Sequence, residues 1–450
     1  MGALSETFTV LRHPAFPQYS TRIRKTDFCD TTSQAYSGYV DIEVRHIFFY
    51  YFESRNDPST DDVIMWINGG PGASASIGLM MELGPCSIVN DTHVEFNPYS
   101  WNANANVLFV DQPVGVGFSY AEYGETVSST PEAAKDMAAF IAILFNSFSS
   151  LKGRPFHVAG ESYGGRYTPV FAAEIYDQNA KLVEIGMEPI NLTSVMIGNG
   201  VTDPYSMTLS YNDFSCSAVS APLTPFLPIS TCVRMEKAVQ RCQRLLKDSC
   251  IDQYDQINCQ AAHQFCDTEL TVPMFSSGLS VYDIRTVCEG EVTETICYYI
   301  SLSVGKYLSQ TSIRESLGVD DAVPQNFSTV GWAVNRAFEA SGDEFQSSHD
   351  YIAALLDRGV RVLVYVGNYD AIANWVGNER WTLDMDWTGK IEYGSQTLRE
   401  WIVGGRAAGL TRSAKGLTFA TVFESGHMVP HDKPQESLAM VNRWLRNVAL

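Results

Sequence analysis

The chain is short of positive charge. Among its 450 residues, 31 Lys and Arg stand against 51 Asp and Glu, for a formal net charge of −20 and a sequence pI near 4.8. A surface of that sign argues against nucleic acid or an anionic membrane as partner, and it suits solubility in an acidic compartment or outside the cell. Long apolar runs are missing as well. Hydrophobic residues make up 45% of the chain, enough for a large core, yet no stretch reaches the ~18 uninterrupted apolar residues that read as a membrane-spanning helix. Met1-Gly-Ala-Leu-Ser-Glu6 has neither a basic start nor an apolar centre, so it does not read as a signal peptide. That leaves a chain whose targeting and pro segments have been removed, or a cytosolic one. Internal repeats, low-complexity tracts and long linkers are also lacking.

Cysteine is present and unevenly spread. Eight of the ten lie between Cys216 and Cys297, a density that suggests a disulfide-stapled insertion made in an oxidising compartment. Three sequons, at Asn90, Asn191 and Asn326, are compatible with secretory passage. Cys259-Gln-Ala-Ala-His263-Gln-Phe-Cys266 offers metal-ligating atoms, but its spacing matches no familiar zinc pattern and neighbouring cysteines offer covalent partners. No metal and no cofactor is expected. Spacing alone leaves the connectivity of the cysteines open.

Gly160-Glu161-Ser162-Tyr163-Gly164 carries the most chemistry. The apolar run Phe156-His-Val-Ala159 precedes it and a helical pattern from Arg166 comes after, which is the strand–turn–helix context of a G-x-S-x-G nucleophile elbow. Such a turn lifts the serine Oγ clear of the sheet and aims the positive end of the next helix at a developing oxyanion. Its partners come in the chain order of an α/β-hydrolase, acid before histidine. The strand pattern Val360–Val366 ends in Gly367-Asn-Tyr-Asp370, and Thr418–Phe423 leads into Glu424-Ser-Gly-His427-Met-Val-Pro430. Ser162 is the expected nucleophile, His427 the base and Asp370 the group that holds the imidazole tautomer. His46 and His157 lie in apolar strand patterns and read as structural.

Strands are expected at His46–Phe52, Asp62–Ile67, Val107–Val110, Phe156–Ala159, Leu192–Ile197, Arg361–Val366 and Leu417–Phe423. Helices are expected at Pro131–Phe148, with Ala133, Met137, Phe140 and Ile141 inward, and from about Pro434 to Val448. This alternation predicts the α/β class: a mostly parallel central sheet flanked by helices. Strand signals fade from about Asp203 to Tyr299. The expected organisation is therefore a hydrolase core over residues 1–202, an inserted disulfide-rich helical cap over 203–300, and the rest of the core over 301–450.

Four motifs together resemble the serine carboxypeptidases of the carboxypeptidase Y type: Trp66-Ile-Asn-Gly-Gly-Pro-Gly72, Gly160-Glu-Ser-Tyr-Gly-Gly165, Ile197-Gly-Asn-Gly-Val-Thr-Asp-Pro204 and Gly426-His-Met-Val-Pro430. The resemblance runs from about Tyr36 to the end. It implies removal of one amino acid at a time from the free carboxyl end of peptides, with Ser162, Asp370 and His427 as the triad. It further implies an oxyanion hole from the N–H groups of Gly70 and Tyr163, and a carboxylate site from Asn68, the Gly69 amide, Glu82 and Glu161 with Trp66 in support. The implied disulfides are Cys216–Cys232, Cys242–Cys266, Cys250–Cys259 and Cys288–Cys297. Where the family has a cysteine after Gly-Pro-Gly this chain has Ala73, and no cysteine lies beyond Cys297. Cys29 and Cys86 are then left over and are expected to pair.

A glutamate beside the nucleophile is odd in an anion site. Two carboxyls held together and partly buried resist double ionisation, so one keeps its proton and can donate to the substrate carboxylate. Glu82, on the helix-like stretch Ser76–Leu83, is the natural partner of Glu161. Peptide binding should then be best at acidic pH, and an ordinary esterase has no need of the pair. Ile77 and Met428 are expected around the departing residue, favouring apolar side chains, and Val201 and Tyr211 around the preceding one together with Tyr163. Glu344 aligns roughly where the family carries a large aromatic and would favour a basic penultimate residue if it faced that pocket. The expected partners are peptides with a free carboxyl end, and the expected location is the secretory pathway, vacuolar, lysosomal or extracellular. An acyltransferase or esterase on the same fold is the alternative, and a non-catalytic binding protein comes third.

Overall fold

The computed structural model describes residues 8–122, 124–148, 150–217 and 224–450; the leader reading of Met1–Glu6 falls outside them. In chain order the strands are β1 Thr9–Arg12, β2 Tyr19–Thr26, β3 Ala35–Ile42, β4 Arg45–Phe52, β5 Val63–Ile67, β6 Cys86–Asn90, β7 His93–Phe96, β8 Asn106–Val110, β9 Tyr120–Ala121, β10 Phe156–Glu161, β11 Leu192–Gly198, β12 Arg361–Gly367, β13 Arg399–Val403, β14 Arg406–Ala414 and β15 Leu417–Val422. One sheet runs β1-β2-β3-β4-β8-β5-β10-β11-β12-β15-β14-β13, with β9 against the end of β4. β6 and β7 form a separate hairpin.

The six central strands, β8 to β15 in that order, are parallel. Every residue of β5, β8 and β10 is buried, as a strand covered on both faces requires. The two margins are antiparallel; β4 was expected as His46–Phe52, while β1, β2, β3, β13 and β14 were not. β2 buries Tyr19, Thr21 and Ile23 in alternation and Thr26 at its end, and two of these four are threonines, which dilutes the apolar signal. β14 is rich in small residues, and a side chain at Gly409 would collide with the Thr421 carbonyl oxygen of β15.

Helices cover both faces. Thr130–Ser147, opened by Pro131, buries Ala133, Met137, Phe140 and Ile141 against the sheet, with the Phe140 ring 5.0 Å from that of Phe49. Gly164–Glu184 packs beside it, and Pro434–Leu445 lies across the opposite face with Trp101 and Trp444. Between Asp203 and Tyr299 the described residues form no strand. The helices Pro204–Cys216, Ile229–Leu246 and Gln256–Cys266 enclose a small core of Met207, Phe214, Met235, Leu246 and Met274, which meets the main domain at Ala371 and Ala373. The pairs Cys216–Cys232, Cys242–Cys266, Cys250–Cys259 and Cys288–Cys297 staple this segment. Cys29–Cys86 ties the strand margin to the β6–β7 hairpin.

Cys29 and Cys86 are 57 residues apart and neither lines the central cleft. Replacing both by alanine should cost about 4 kcal/mol in the chain-entropy picture. A lower thermal midpoint with unchanged turnover at 25 °C is the expected outcome, read by calorimetry alongside an activity assay.

Candidate active site

The turn after β10 is strained in the way a nucleophile elbow demands. Ser162 has φ +63°, a left-handed conformation that costs a non-glycine residue about 1–3 kcal/mol. Backbone bonds hold it there. Its N–H donates to the carbonyls of Gly198 and Asn199, both at 3.1 Å, and its own carbonyl accepts from Val201 N–H at 2.9 Å. The helix Gly164–Glu184 begins directly behind it.

Asp370 sits just past β12 and is fully buried. Its Oδ2 lies 2.8 Å from His427 Nδ1 and accepts from Asn199 Nδ2 at 2.7 Å, while Oδ1 accepts from Ile372 N–H at 3.1 Å. The carboxylate is thereby oriented before it meets the imidazole. His427 N–H donates to the Tyr282 carbonyl at 2.7 Å, and the two rings lie 5.0 Å apart. Asn199 was not singled out in the sequence. It belongs to the Ile197–Pro204 motif, so its place was visible but its task was not.

The loop after β5 packs on the elbow without side chains between them. A Cβ at Gly69 would collide with Tyr163 N and lie 2.6 Å from the Glu161 carbonyl oxygen, while Gly70 (φ +102°) and Gly72 (φ +93°) bend the loop around the serine. Asp111, buried at the end of β8, anchors the chain just past this loop: it accepts from Ser74 Oγ at 2.5 Å and Ala75 N–H at 3.1 Å. Burial pushes its carboxyl up to about 6. Asp343 plays a similar part on the other side, accepting from Tyr163 Oη at 2.7 Å, Thr130 Oγ1 at 2.5 Å and Arg166 Nη2 at 3.3 Å.

Behind the serine, the two glutamates meet. Ser76–Leu83 is helical through Glu82, as expected, and closes in the π-helical turn Gly78–Glu82. It brings the Glu82 carboxyl within hydrogen-bonding contact of Glu161. Both side chains are buried, and each keeps one oxygen with no other partner, so a single proton between them supplies their bond. Burial and then the charge of Glu82 drive the Glu161 carboxyl well above its ordinary value. Burial also raises Glu82, though contact with Glu161 pulls it back, so the pair holds one proton in common. Asn68 completes the group. Its Oδ1 accepts from Trp66 Nε1 at 2.9 Å and Gly78 N–H at 3.0 Å, which turns Nδ2 toward Glu82 Oε1 at 3.5 Å.

These parts open onto one cleft of about 290 Å³. Ser162, His427, Glu161, Asn68, Gly69, Gly70 and Tyr163 line its polar end, and Ile77, Val201 and Met428 its walls. Trp66 and Glu82 stand behind Asn68 and Glu161. The segment between Asp203 and Tyr299 contributes Phe275, Tyr282, Val292 and Ile296, which no sequence pattern marked as wall residues.

Two expected wall residues are not among those lining the cleft. Tyr211 lies beneath the wall and donates to the Ile372 carbonyl at 3.0 Å, so it supports a wall residue instead of being one. Glu344 sits on the short turn Asp343–Phe345, where it is Asp343 that reaches Tyr163. Its surroundings are acidic; burial, then Glu339, Asp267 and Asp343, raise its carboxyl to about 7. Trp332 adds a further large aromatic to the wall. The Cys259–Cys266 stretch is spent on disulfides, and His263 stacks on Phe345 at 4.4 Å with its imidazole lowered to about 4 by burial. Asn90, Asn191 and Asn326 are all exposed.

A strained serine after a central parallel strand, a buried Asp–His pair at the ends of two later strands, and a glycine loop against the elbow define an α/β-hydrolase with a serine nucleophile. Over residues 26–447 the sequence matches the family of serine carboxypeptidases, and the chain belongs to that family. It is 40% identical to the vacuolar serine-type carboxypeptidase ATG42 of Saccharomyces cerevisiae over 97% of its own length and 85% of that protein's. It is 39% identical to carboxypeptidase Y of the same yeast, over 97% and 81%. In fold it is similar to the crystal structure of Kex1(delta)p, a prohormone-processing carboxypeptidase from Saccharomyces cerevisiae, with a TM-score of 0.79, 23% identity and 93% of both chains covered.

Because a side chain at Gly69 would force the loop off the elbow, Gly69→Ala should lower kcat by about 10²–10³, the worth of one displaced oxyanion donor. Steady-state kinetics on a chromogenic ester, with circular dichroism as the fold check, measure it.

Proposed function

We propose that this enzyme releases single amino acids from the free carboxyl end of peptides, working best in acid. The observation that carries the reading is the contact between Glu161 and Glu82 at the polar end of the cleft, beside Ser162 and His427. A hydrolase for esters has no use for a protonated carboxyl there, whereas a terminal carboxylate gains from a donor that carries no added charge.

In this reading Ser162 Oγ attacks the last peptide carbonyl as His427 takes its proton. The N–H groups of Gly70 and Tyr163 stabilise the oxyanion, and Asp370, held by Asn199, stabilises the imidazolium. His427 returns the proton to the leaving amine, so the terminal amino acid departs. Water, deprotonated by the same imidazole, then hydrolyses the acyl-enzyme on Ser162. Asn68, the Gly69 amide and Glu161 hold the substrate's carboxylate, with Glu82 and Trp66 fixing them from behind. Ile77 and Met428 beside this anchor favour an apolar departing residue, and Val201 with Trp332 supports the same preference one residue earlier.

Residues 203–300 would act as the cap that shapes the walls, between core segments 1–202 and 301–450. Five disulfides, three exposed sequons and vacuolar relatives support the secretory route, with the vacuole as destination and N-glycans at Asn90, Asn191 and Asn326. Among the described residues no helix is long and apolar enough to cross a membrane.

The raised Glu161 fixes the sign of the pH dependence. Its proton is held at acid pH and lost as pH rises through the elevated value, so KM for a blocked dipeptide should climb from pH 4 to pH 8. KM for the C-terminal amide of the same dipeptide should be higher at pH 4 and should change little. Equal KM values for acid and amide at every pH would move the reading to the esterase or acyltransferase alternative. Glu161→Gln, which always carries donor hydrogens, should flatten the climb.

A further inference from the structure

Glu161 ends β10, and the sheet register sets it beside Gly198, the last residue of β11; Gly198 in turn pairs with Tyr365 of β12. Residues in register across parallel strands project from the same face. Gly198 has no side chain, and the Tyr365 ring fills that space: a Cβ on Gly198 would lie 2.5 Å from both Cζ and Oη of the tyrosine. The phenol thus lies across the glycine that separates it from Glu161 in the register, with its hydroxyl over Gly198. Tyr365 is fully buried and its hydroxyl has no hydrogen-bond partner. One buried oxygen each of Glu161 and Glu82 has no partner beyond the proton the two share, and so keeps a lone pair free to accept. Native interiors rarely leave a buried hydroxyl unpaired, and that of Tyr365 lies in the same neighbourhood.

We propose that Tyr365 is a positioning residue of the carboxyl pair: its hydroxyl donates to Glu161–Glu82, directly or through one buried water, and sets the pH at which the shared proton leaves. The proposal rests on the reading that this pair binds the terminal carboxylate. Burial, then the charges of Glu161 and Glu82, push the phenol well above its ordinary value, so it stays a donor throughout the working range. Other groups also face the pair. Asp370 comes after β12; His427, His431 and Asp432 come after β15; Tyr282 and Tyr298 belong to the segment that closes the cleft. All of them stay in place when only the Tyr365 hydroxyl is removed.

Charge decides the sign. A donor stabilises the doubly ionised pair more than the pair that still holds a proton, so it eases loss of that proton. Tyr365→Phe should therefore shift the pH midpoint of the KM rise for a blocked dipeptide upward by about one unit, the scale of a hydrogen bond to a charged group. With the corresponding C-terminal amide, KM and kcat should stay within about twofold, because the ring still fills the space over Gly198. A midpoint that stays or moves down, or an equal change for acid and amide, overturns the proposal. Indifference of the wild-type enzyme between acid and amide would instead defeat the carboxylate-site reading beneath it. Wild-type protein labelled with ζ-¹³C tyrosine provides a check that needs no Tyr365 variant. One tyrosine resonance should titrate with the KM midpoint and fall silent in Glu161→Gln; no such resonance counts against the proposal.

Discussion

Two carboxyl groups buried in contact resist ionising together, and the polar end of this cleft is built around that constraint. Glu161 belongs to the elbow, so wherever Ser162 stands its neighbour's carboxyl stands also. Glu82 arrives from another element, the π-turn beyond the glycine loop. Their contact requires Asn68 to be fixed by Trp66 and Gly78, and it requires Gly78 to have no side chain, since a Cβ there would collide with Trp66 Nε1. The buried indole, the glycine and the amide serve one end: holding the two carboxyls together beside Ser162.

The nucleophile is held by the same economy of parts. Backbone bonds from Gly198, Asn199 and Val201 pin the strained Ser162, and Asn199 then turns its side chain to Asp370. One short segment at the end of β11 therefore supports both Ser162 and Asp370. Asp111 and Asp343 brace the loops on two sides of Ser162, one through Ser74 and Ala75, the other through Tyr163 and Arg166. Neither acid lines the cleft. They restrict the freedom of the loops that do, as the proposed oxyanion site would require.

Legibility went with locality. The elbow, the order Ser162–Asp370–His427 and the buried central strands were readable because each rests on neighbours in sequence: β-branched runs, a glycine pair, a residue at a strand end. The antiparallel margins outside β4 were not. The inward face of β2 carries threonines, and β14 relies on small residues approaching the next strand closely. Wall residues between Asp203 and Tyr299 were hidden for a related reason. Phe275, Val292 and Ile296 look like any apolar residues in a loop-rich segment until the fold turns them over the cleft. Tyr211 and Glu344 erred in the opposite direction, since position along the chain did not say which of two adjacent residues would face inward.

By itself the sequence determined the strand–turn–helix around Ser162, the order of its partners, the acidic character of the chain and the crowding of its cysteines, because these depend on local geometry and composition. Only the tertiary structure decided that Glu82 reaches Glu161, that Asn199 joins the neighbouring backbone in steadying Asp370, and that Tyr365 lies over Gly198. Those contacts join residues from separate strands and loops, and the distance between them is set by sheet register and by which glycines leave room, neither of which is written in any local pattern.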